Sequence, residues 1–193
     1  NLTATDTGLE ATARTNLGVD GYDRVFLYFG LIRPYKRVPA LIETFRDVAP
    51  EDACLVVAGN PKHEALERAV RDAADGADDV VLDLRYVPDS DVPELFAACD
   101  FGVFPYADVF NSGSVMLCMT LGRAFVAPDA GSVRSVAPEG NVVYESLAEG
   151  LTSAAAYPDE RVREDGERNR QAAREGHDRN RIGARMVDMY HGR

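Results

Sequence analysis

The chain is poor in several residue types that would otherwise point to a function. Its 193 residues include no tryptophan, three histidines and three cysteines. Cys54, Cys99 and Cys118 lie singly in or beside apolar runs, which predicts buried thiols in a reducing compartment, not disulfides or zinc ligands. No run approaches the roughly 18 continuous apolar residues of a membrane-spanning helix, and nothing near the start resembles a signal peptide. We therefore expect neither a disulfide-stabilised nor a membrane-embedded protein.

Basic residues are outnumbered by acidic ones, 21 to 32, and lysine is scarce. The net charge is −11, and Lys36 and Lys62 are the only lysines. Because a nucleic-acid partner or an anionic membrane surface requires a basic face, we expect neither as a partner. Two interpretations of the acidic surface remain open, a solvated surface that maintains solubility or an adaptation to high salt.

Apolar runs alternate with amphipathic stretches along the whole chain. Strands are predicted at Arg24–Phe29, Cys54–Ala58, Val80–Leu84, Phe101–Phe104, Ala124–Ala127 and Asn141–Tyr144. Helices are predicted at Asp6–Leu17, Arg37–Val48, Lys62–Ala74, Asp91–Cys99, Gly113–Leu121, Val133–Val136 and Leu147–Ala156.

Short strands that are apolar throughout indicate burial on both faces, as in a parallel sheet covered by helices. We therefore predict an α/β fold, a Rossmann-like doubly wound parallel sheet of about six strands with helices on both faces. The sequence predicts a single domain over residues 1–193. Residues 1–20 form a leading helix or linker, and residues 160–193 form two helices on the outside of the domain.

The segment Asn111-Ser112-Gly113-Ser114 follows a predicted strand and opens an apolar helix. The first N–H groups of a helix have no partner within the helix, and the positive end of the helix dipole lies behind them. A small, polar helix start of this kind predicts an anion site, most often for phosphate.

A second anion-binding feature follows the first predicted strand. Gly30 ends that strand, and Arg33 and Lys36 lie in the same loop. The guanidinium fork and the mobile ammonium together suit a diphosphate, although a surface pair flanking a turn is the alternative. Because parallel strands end at one edge of the sheet, the two features predict a diphosphate held between two strand ends.

Tyr86 and Val87 leave the third predicted strand at the same edge. Such residues could hold a flat ring by stacking and by backbone hydrogen bonds, and packing in the core and turn is the alternative. The three histidines, His63, His177 and His191, are interpreted as surface residues.

Taken in order, five motifs resemble the retaining glycosyltransferases of the GT-B fold, family 4. The motifs are Phe29–Lys36, Val56–Gly59, Tyr86–Pro88, Leu95–Tyr106 and Asn111–Arg123. The chain is similar to the carboxy-terminal half of such an enzyme, the Rossmann-like lobe that binds the nucleotide-sugar donor.

The resemblance implies a role for each motif residue. Arg33 and Lys36 would act in catalysis by neutralising the donor diphosphate as the glycosidic bond breaks, with no metal or cofactor. Asn111, Ser112, Gly113 and Ser114 would bind the same phosphates, the Gly30 loop would face the diphosphate and sugar, and Tyr86 with Val87 would hold the base. One departure concerns two family glutamates, whose positions hold Val109 and Leu117 here.

The resemblance also implies partners and a location. The donor would be a nucleotide-diphosphate sugar, and the acceptor a carbohydrate or lipid-linked molecule bound through an amino-terminal lobe that this chain lacks. We expect a cytoplasmic protein, with any contact to the inner face of the membrane made through that lobe. The isolated domain would bind nucleotide but would not transfer sugar efficiently. The alternative is a non-catalytic α/β regulatory module that binds a nucleotide or phosphate.

Overall fold

A computed structural model describes residues 4–106, 113–130, 133 and 137–176. The strands are β1 (Arg24–Phe29), β2 (Ala53–Ala58), β3 (Val80–Asp83), β4 (Phe101–Val103), β5 (Ala124–Pro128) and β6 (Val142–Tyr144). The helices are α1 (Ala4–Leu17), α2 (Val38–Val48), α3 (Glu64–Ala73), α4 (Val92–Ala98), α5 (Gly113–Thr120), α6 (Leu147–Ala155) and α7 (Asp159–Gly176).

The six strands form one parallel sheet in the order β3-β2-β1-β4-β5-β6. This confirms the predicted doubly wound fold. Strand β1 has the predicted bounds, and the other five differ from prediction by one residue at one end. The strand order reverses between β1 and β4, so the crevice above the carboxyl ends of these two strands is where such a sheet binds ligands.

Helices cover both faces of the sheet. Helix α2 contacts α3 and α6, whereas α1 contacts α4 and α5 contacts α7. Between the two layers, Phe26 of β1 stacks on Phe101 of β4 and meets Phe45 of α2 edge-on. Burial on both faces explains why β1 and β2 are apolar along nearly their whole length.

Both ends of the described part of the chain are helical. Helix α1 ends before Gly18, whose φ of 69° closes the helix in the left-handed conformation. Helix α7 covers the first part of the region predicted to hold two outer helices, and residues 177–193 lie outside the described residues. The predicted helix at 133–136 is described only at Val133.

The cysteine side chains and the lengths of the helices can be compared with the sequence predictions. The three cysteines are buried and unpaired, and burial raises the pKa of the Cys99 thiol to about 12. None of the helices within the described ranges is both long and apolar enough to span a bilayer.

Candidate functional site

Three of the predicted site residues meet above the carboxyl ends of β1 and β4. Gly30 follows β1 with a φ of 126°, a conformation that residues with a Cβ rarely adopt. A methyl group built on Gly30 would lie 3.2 Å from Ser114 Oγ and 3.4 Å from Lys36 Nζ. The two anion-binding features predicted from the sequence therefore face each other across the switch point of the sheet.

The loop after β1 is fixed by the loop after β2. The Gly30 N–H donates to the carbonyl of Ala58 at 3.0 Å, and the Ile32 N–H donates to the carbonyl of Asn60 at 3.0 Å. Gly59 permits this approach, because a Cβ on Gly59 would overlap the Gly30 carbonyl. In the sequence, Gly59 belongs to a family motif, but that motif does not indicate this contact. The residues of the loops after β1 and β2 do not show how closely the two loops approach each other.

Lys36 ends a short 3₁₀ turn, and its side chain is largely buried at 9% exposure. Its ammonium Nζ lies 5.1 Å from the ring centroid of Tyr106 and 6.0 Å from that of Tyr28. Burial, and then the nearby positive charge of Arg33, lower the pKa of Lys36 below its usual range. In the part of the chain that the structure describes, no carboxylate lies within 4 Å of this ammonium.

Arg33 is half-buried, and its Nη1 donates to the carbonyl of the preceding residue, Ile32, at 3.2 Å. Its guanidinium also forms no ion pair with any described carboxylate. Two adjacent cations therefore lie without a described counterion in a protein of net charge −11. Such a pair is suited to binding a dianion.

Helix α5 begins at Gly113, which is exposed, and Ser114 is half-buried beside Gly30. The helix N-terminus therefore lies at the same crevice as the two cations. Asn111 and Ser112 lie outside the described residues, as does Val109. Leu117, at the position of the second family glutamate, packs against the hydrophobic core and offers no polar group.

The predicted base-binding residues differ in exposure. Tyr86 is 67% exposed, whereas Val87 is 7% exposed and belongs to the core. Val87 can therefore contact a ligand only through its backbone. The adjacent turn is held by Arg85, which pairs with Asp83 at 2.9 Å and with Asp91 at 3.2 Å. No described hydrogen bond or ring contact joins Tyr86 to the cluster around Gly30.

Sequence reasoning missed the aromatic rings around Lys36 and the conformation of Arg37. Arg37 precedes α2 in the left-handed region, with φ 52° and ψ 36°. Its long side chain gives no signal for a conformation that glycine usually supplies. His63 is exposed as predicted, and its Nδ1 accepts from the Leu66 N–H as the cap of α3.

A cavity of about 390 Å³ lies at the opposite edge of the sheet, near the amino ends of the strands. Two arginines that line it donate to carbonyls near helix ends, Arg123 to Ala97 and Arg170 to Leu121. These contacts give the two arginines a structural role at helix ends. We therefore place the functional site at the carboxyl edge of the sheet, where such sheets bind ligands. Within the described ranges, no three His, Cys, Asp or Glu side chains are arranged to bind a metal ion.

Sequence comparison identifies related proteins. The sequence profile of the family described as "Glycosyl transferases group 1" matches residues 23–157. Over 129 residues the chain is 34% identical to a GDP-mannose:glycolipid 4-beta-D-mannosyltransferase of Xanthomonas campestris pv. campestris. That match covers 67% of this chain and 37% of the relative, so the chain spans well under half of the relative's length.

Structure comparison identifies the same fold in solved proteins. Anabaena Alr3699/HepE, solved in complex with UDP-glucose, matches with a TM-score of 0.79 at 16% identity. The match covers 100% of this chain and 54% of that protein. The C-terminal domain of a glycosyl transferase group 1 family protein (LpcC) from Francisella tularensis matches with a TM-score of 0.69 at 15% identity, covering 84% of this chain and 90% of that domain.

Proposed function

Because this chain belongs to the glycosyl transferases group 1 family, we propose that it is the donor-binding lobe of a sugar transferase. The enzyme moves a glycosyl unit from a nucleoside-diphosphate sugar to a carbohydrate or lipid-linked acceptor. One observation carries the proposal: Lys36 and Ser114 both lie beside Gly30 at the switch point, Arg33 is near Lys36, and neither cation has a described counterion. We also propose membership of family 4 within this class.

The chemistry follows from the charge of the leaving group. When the bond between sugar and diphosphate breaks, negative charge grows on the departing phosphate oxygen. Arg33 and Lys36 stabilise that charge, together with the N–H groups at the start of α5 and the Ser114 hydroxyl. These groups are fixed in place before the reaction, so they need little rearrangement as the charge develops. Family resemblance favours retention at the anomeric carbon.

Two donors are candidates. The mannosyltransferase relative is named for GDP-mannose, and the Anabaena protein was solved with UDP-glucose. We infer a guanosine diphosphate sugar, because the relative named for it is 34% identical and the UDP-bound protein 16%. The exposed ring of Tyr86 is the proposed stacking surface for the base, with the Val87 backbone beside it.

The remaining parts of the enzyme lie outside this chain. The chain spans 37% of the mannosyltransferase relative and 54% of the Anabaena protein. We propose that a second lobe binds the acceptor and adds further groups to the active site. A cytoplasmic location fits the three buried, unpaired thiols, with contact to the membrane made by the second lobe.

A second candidate is a non-catalytic α/β module that keeps the phosphate site. It is favoured by Leu117, which places a core side chain where the family has a carboxylate. Such a module would bind the nucleoside diphosphate without transferring sugar. Donor consumption by the full-length protein, measured with a candidate lipid-linked acceptor, separates the two candidates.

Calorimetric titration of the 193-residue chain with GDP, UDP, TDP and ADP tests the donor site. We expect selective binding of GDP, weakened about 100-fold or more in the variant carrying Arg33→Ala and Lys36→Ala, because two charge-assisted contacts are lost. Arg68→Ala with Arg174→Ala is the matched control, since both arginines are exposed, lie away from the crevice and change the net charge equally. If a folded sample binds none of the four, the proposal is wrong for this chain.

A further inference from the structure

The Lys36 ammonium lies near the faces of two aromatic rings. Its Nζ lies 5.1 Å from the Tyr106 ring centroid and 6.0 Å from the Tyr28 ring centroid, both within the range of a cation–π contact. Tyr106 follows β4 and Tyr28 belongs to β1. One ring therefore comes from β1 and the other from the segment that follows β4, on the two sides of the switch point.

Rings and carboxylates hold a lysine in different ways. A carboxylate beside Lys36 would fix the ammonium but would cancel its charge and repel an incoming phosphate. The face of an aromatic ring attracts the ammonium through its quadrupole and carries no net charge. An ammonium that contacts aromatic rings, and no carboxylate of the described residues, therefore keeps its full charge for an anionic ligand.

Both rings are fixed by contacts of their own. Tyr106 is 6% exposed and packs at 5.8 Å from the Phe104 ring and 6.4 Å from the Tyr35 ring. The Tyr28 hydroxyl donates to the carbonyl of Leu31 at 3.1 Å, within the loop that carries Lys36. The rings are therefore in place before a ligand arrives.

We propose that Tyr106, together with Tyr28, is a positioning residue that holds the Lys36 ammonium at the diphosphate site through its ring face. The inference rests on the proposed function, because it assumes that the anion bound beside Lys36 is the donor diphosphate. Tyr106 ends the family motif Leu95–Tyr106, but neither that motif nor the comparisons assign it a role. Tyr106 is the better residue to test, because Tyr28 lies in the central strand, where substitution would disturb the core.

Two variants separate the ring face from the hydroxyl and from simple packing. Tyr106→Phe keeps the ring and removes the hydroxyl, whereas Tyr106→Leu keeps an apolar side chain without a π face. We expect Tyr106→Phe to bind GDP within about twofold of the wild type, and Tyr106→Leu to bind about tenfold more weakly. Equal affinity in a folded Tyr106→Leu sample, or equal losses in the two variants, would overturn the proposal.

A measurement without nucleotide keeps the positioning role separate from the proposed function. In the proton NMR spectrum, rings held against Lys36 shift its side-chain methylene signals upfield. We expect this shift in the wild type and in Tyr106→Phe, and its reduction in Tyr106→Leu. If the wild type lacks the shift, the aromatic contact is absent and the inference fails. If the shifts follow this pattern but no nucleoside diphosphate binds, the proposed function fails and the positioning of Lys36 stands.

Discussion

At the scale of single residues, Gly30 is where the two halves of the candidate site approach most closely. A Cβ on Gly30 would lie 3.2 Å from Ser114 Oγ and 3.4 Å from Lys36 Nζ, in the space proposed for phosphate oxygens. We predict that Gly30→Ala lowers the free energy of unfolding by about 1–2 kcal/mol, because of its positive φ, and abolishes measurable GDP binding. Urea unfolding and calorimetric titration measure the two effects.

Gly18→Ala is the matched control for that prediction. Gly18 also has a positive φ, of 69°, but nothing lies within 4 Å of an added Cβ. Gly18→Ala should lower the free energy of unfolding by a similar amount, about 1 kcal/mol, while the affinity for GDP stays unchanged. Equal affinities in the two variants would show that the space above Gly30 is not part of the ligand site.

The sequence anticipated some site residues and not others, for a physical reason. Gly30, Lys36 and Ser114 follow apolar strands, and parallel strands end at one edge, so their meeting could be predicted. Tyr106 also follows β4, but its contact with Lys36 depends on how the loop after that strand turns its ring toward the ammonium. The sequence places a residue at the edge of the sheet and does not show which side chains of neighbouring loops meet, so the aromatic contact was not predictable.

At the scale of secondary-structure elements, α7 is attached to the sheet by two hydrogen-bonded amides, the buried Asn169 and the half-buried Asn141. Asn169 Nδ2 donates to Asn141 Oδ1 at 2.8 Å and to the Arg123 carbonyl at 2.7 Å, and Asn141 Nδ2 donates to Asn169 Oδ1 at 2.8 Å. We predict that Asn169→Ala lowers the free energy of unfolding by about 2–3 kcal/mol, because buried partners lose their hydrogen bonds. Urea unfolding monitored by circular dichroism measures the loss.

Gln171, on the exposed side of α7, supplies the control. Its amide donates to Glu175 at 2.9 Å on the surface and to no other described residue, so Gln171→Ala should change the free energy of unfolding by no more than about 0.5 kcal/mol. A loss of the same size in both variants would mean that helix propensity, and not the amide pair, controls the stability of α7.

The packing of α7 also shows what the pattern of apolar residues in a sequence does not predict. Its buried face consists of Val162, Asp165, Gly166, Asn169 and Ala173, which recur at helical spacing. Only two of these are apolar side chains, so the sequence predicted the helix and its outer position but not the face that packs. By contrast, the six strands were predictable almost to the residue, because each consists mainly of apolar residues bounded by polar residues, glycine or proline.

At the scale of the whole molecule, the net charge of −11 is spread over the surface, while the cations of the candidate site are concentrated at one edge of the sheet. Self-repulsion of a charged surface destabilises the compact state, and salt screens it. The Debye length falls from about 10 Å at 0.1 M to about 3 Å at 1 M salt. We therefore predict that the midpoint of thermal unfolding rises by several degrees between these concentrations of sodium chloride, as measured by calorimetry.

A charge-reduced variant tests whether acidic repulsion causes that rise. Asp75 and Asp78 are exposed and form no described ion pair, so Asp75→Asn with Asp78→Asn reduces the net charge from −11 to −9 without removing a described contact between charges. Because self-repulsion scales with the square of the net charge, the salt-induced rise should be roughly a third smaller in this variant. An equal rise in the unfolding midpoint of both proteins would mean that salt stabilises the fold generally, and not by screening acidic repulsion. A salt-induced fall in the unfolding midpoint of both proteins would mean that screening of ion pairs, such as Arg14 with Asp100, dominates the response to salt. It would favour the interpretation in which the acidic residues serve solubility alone.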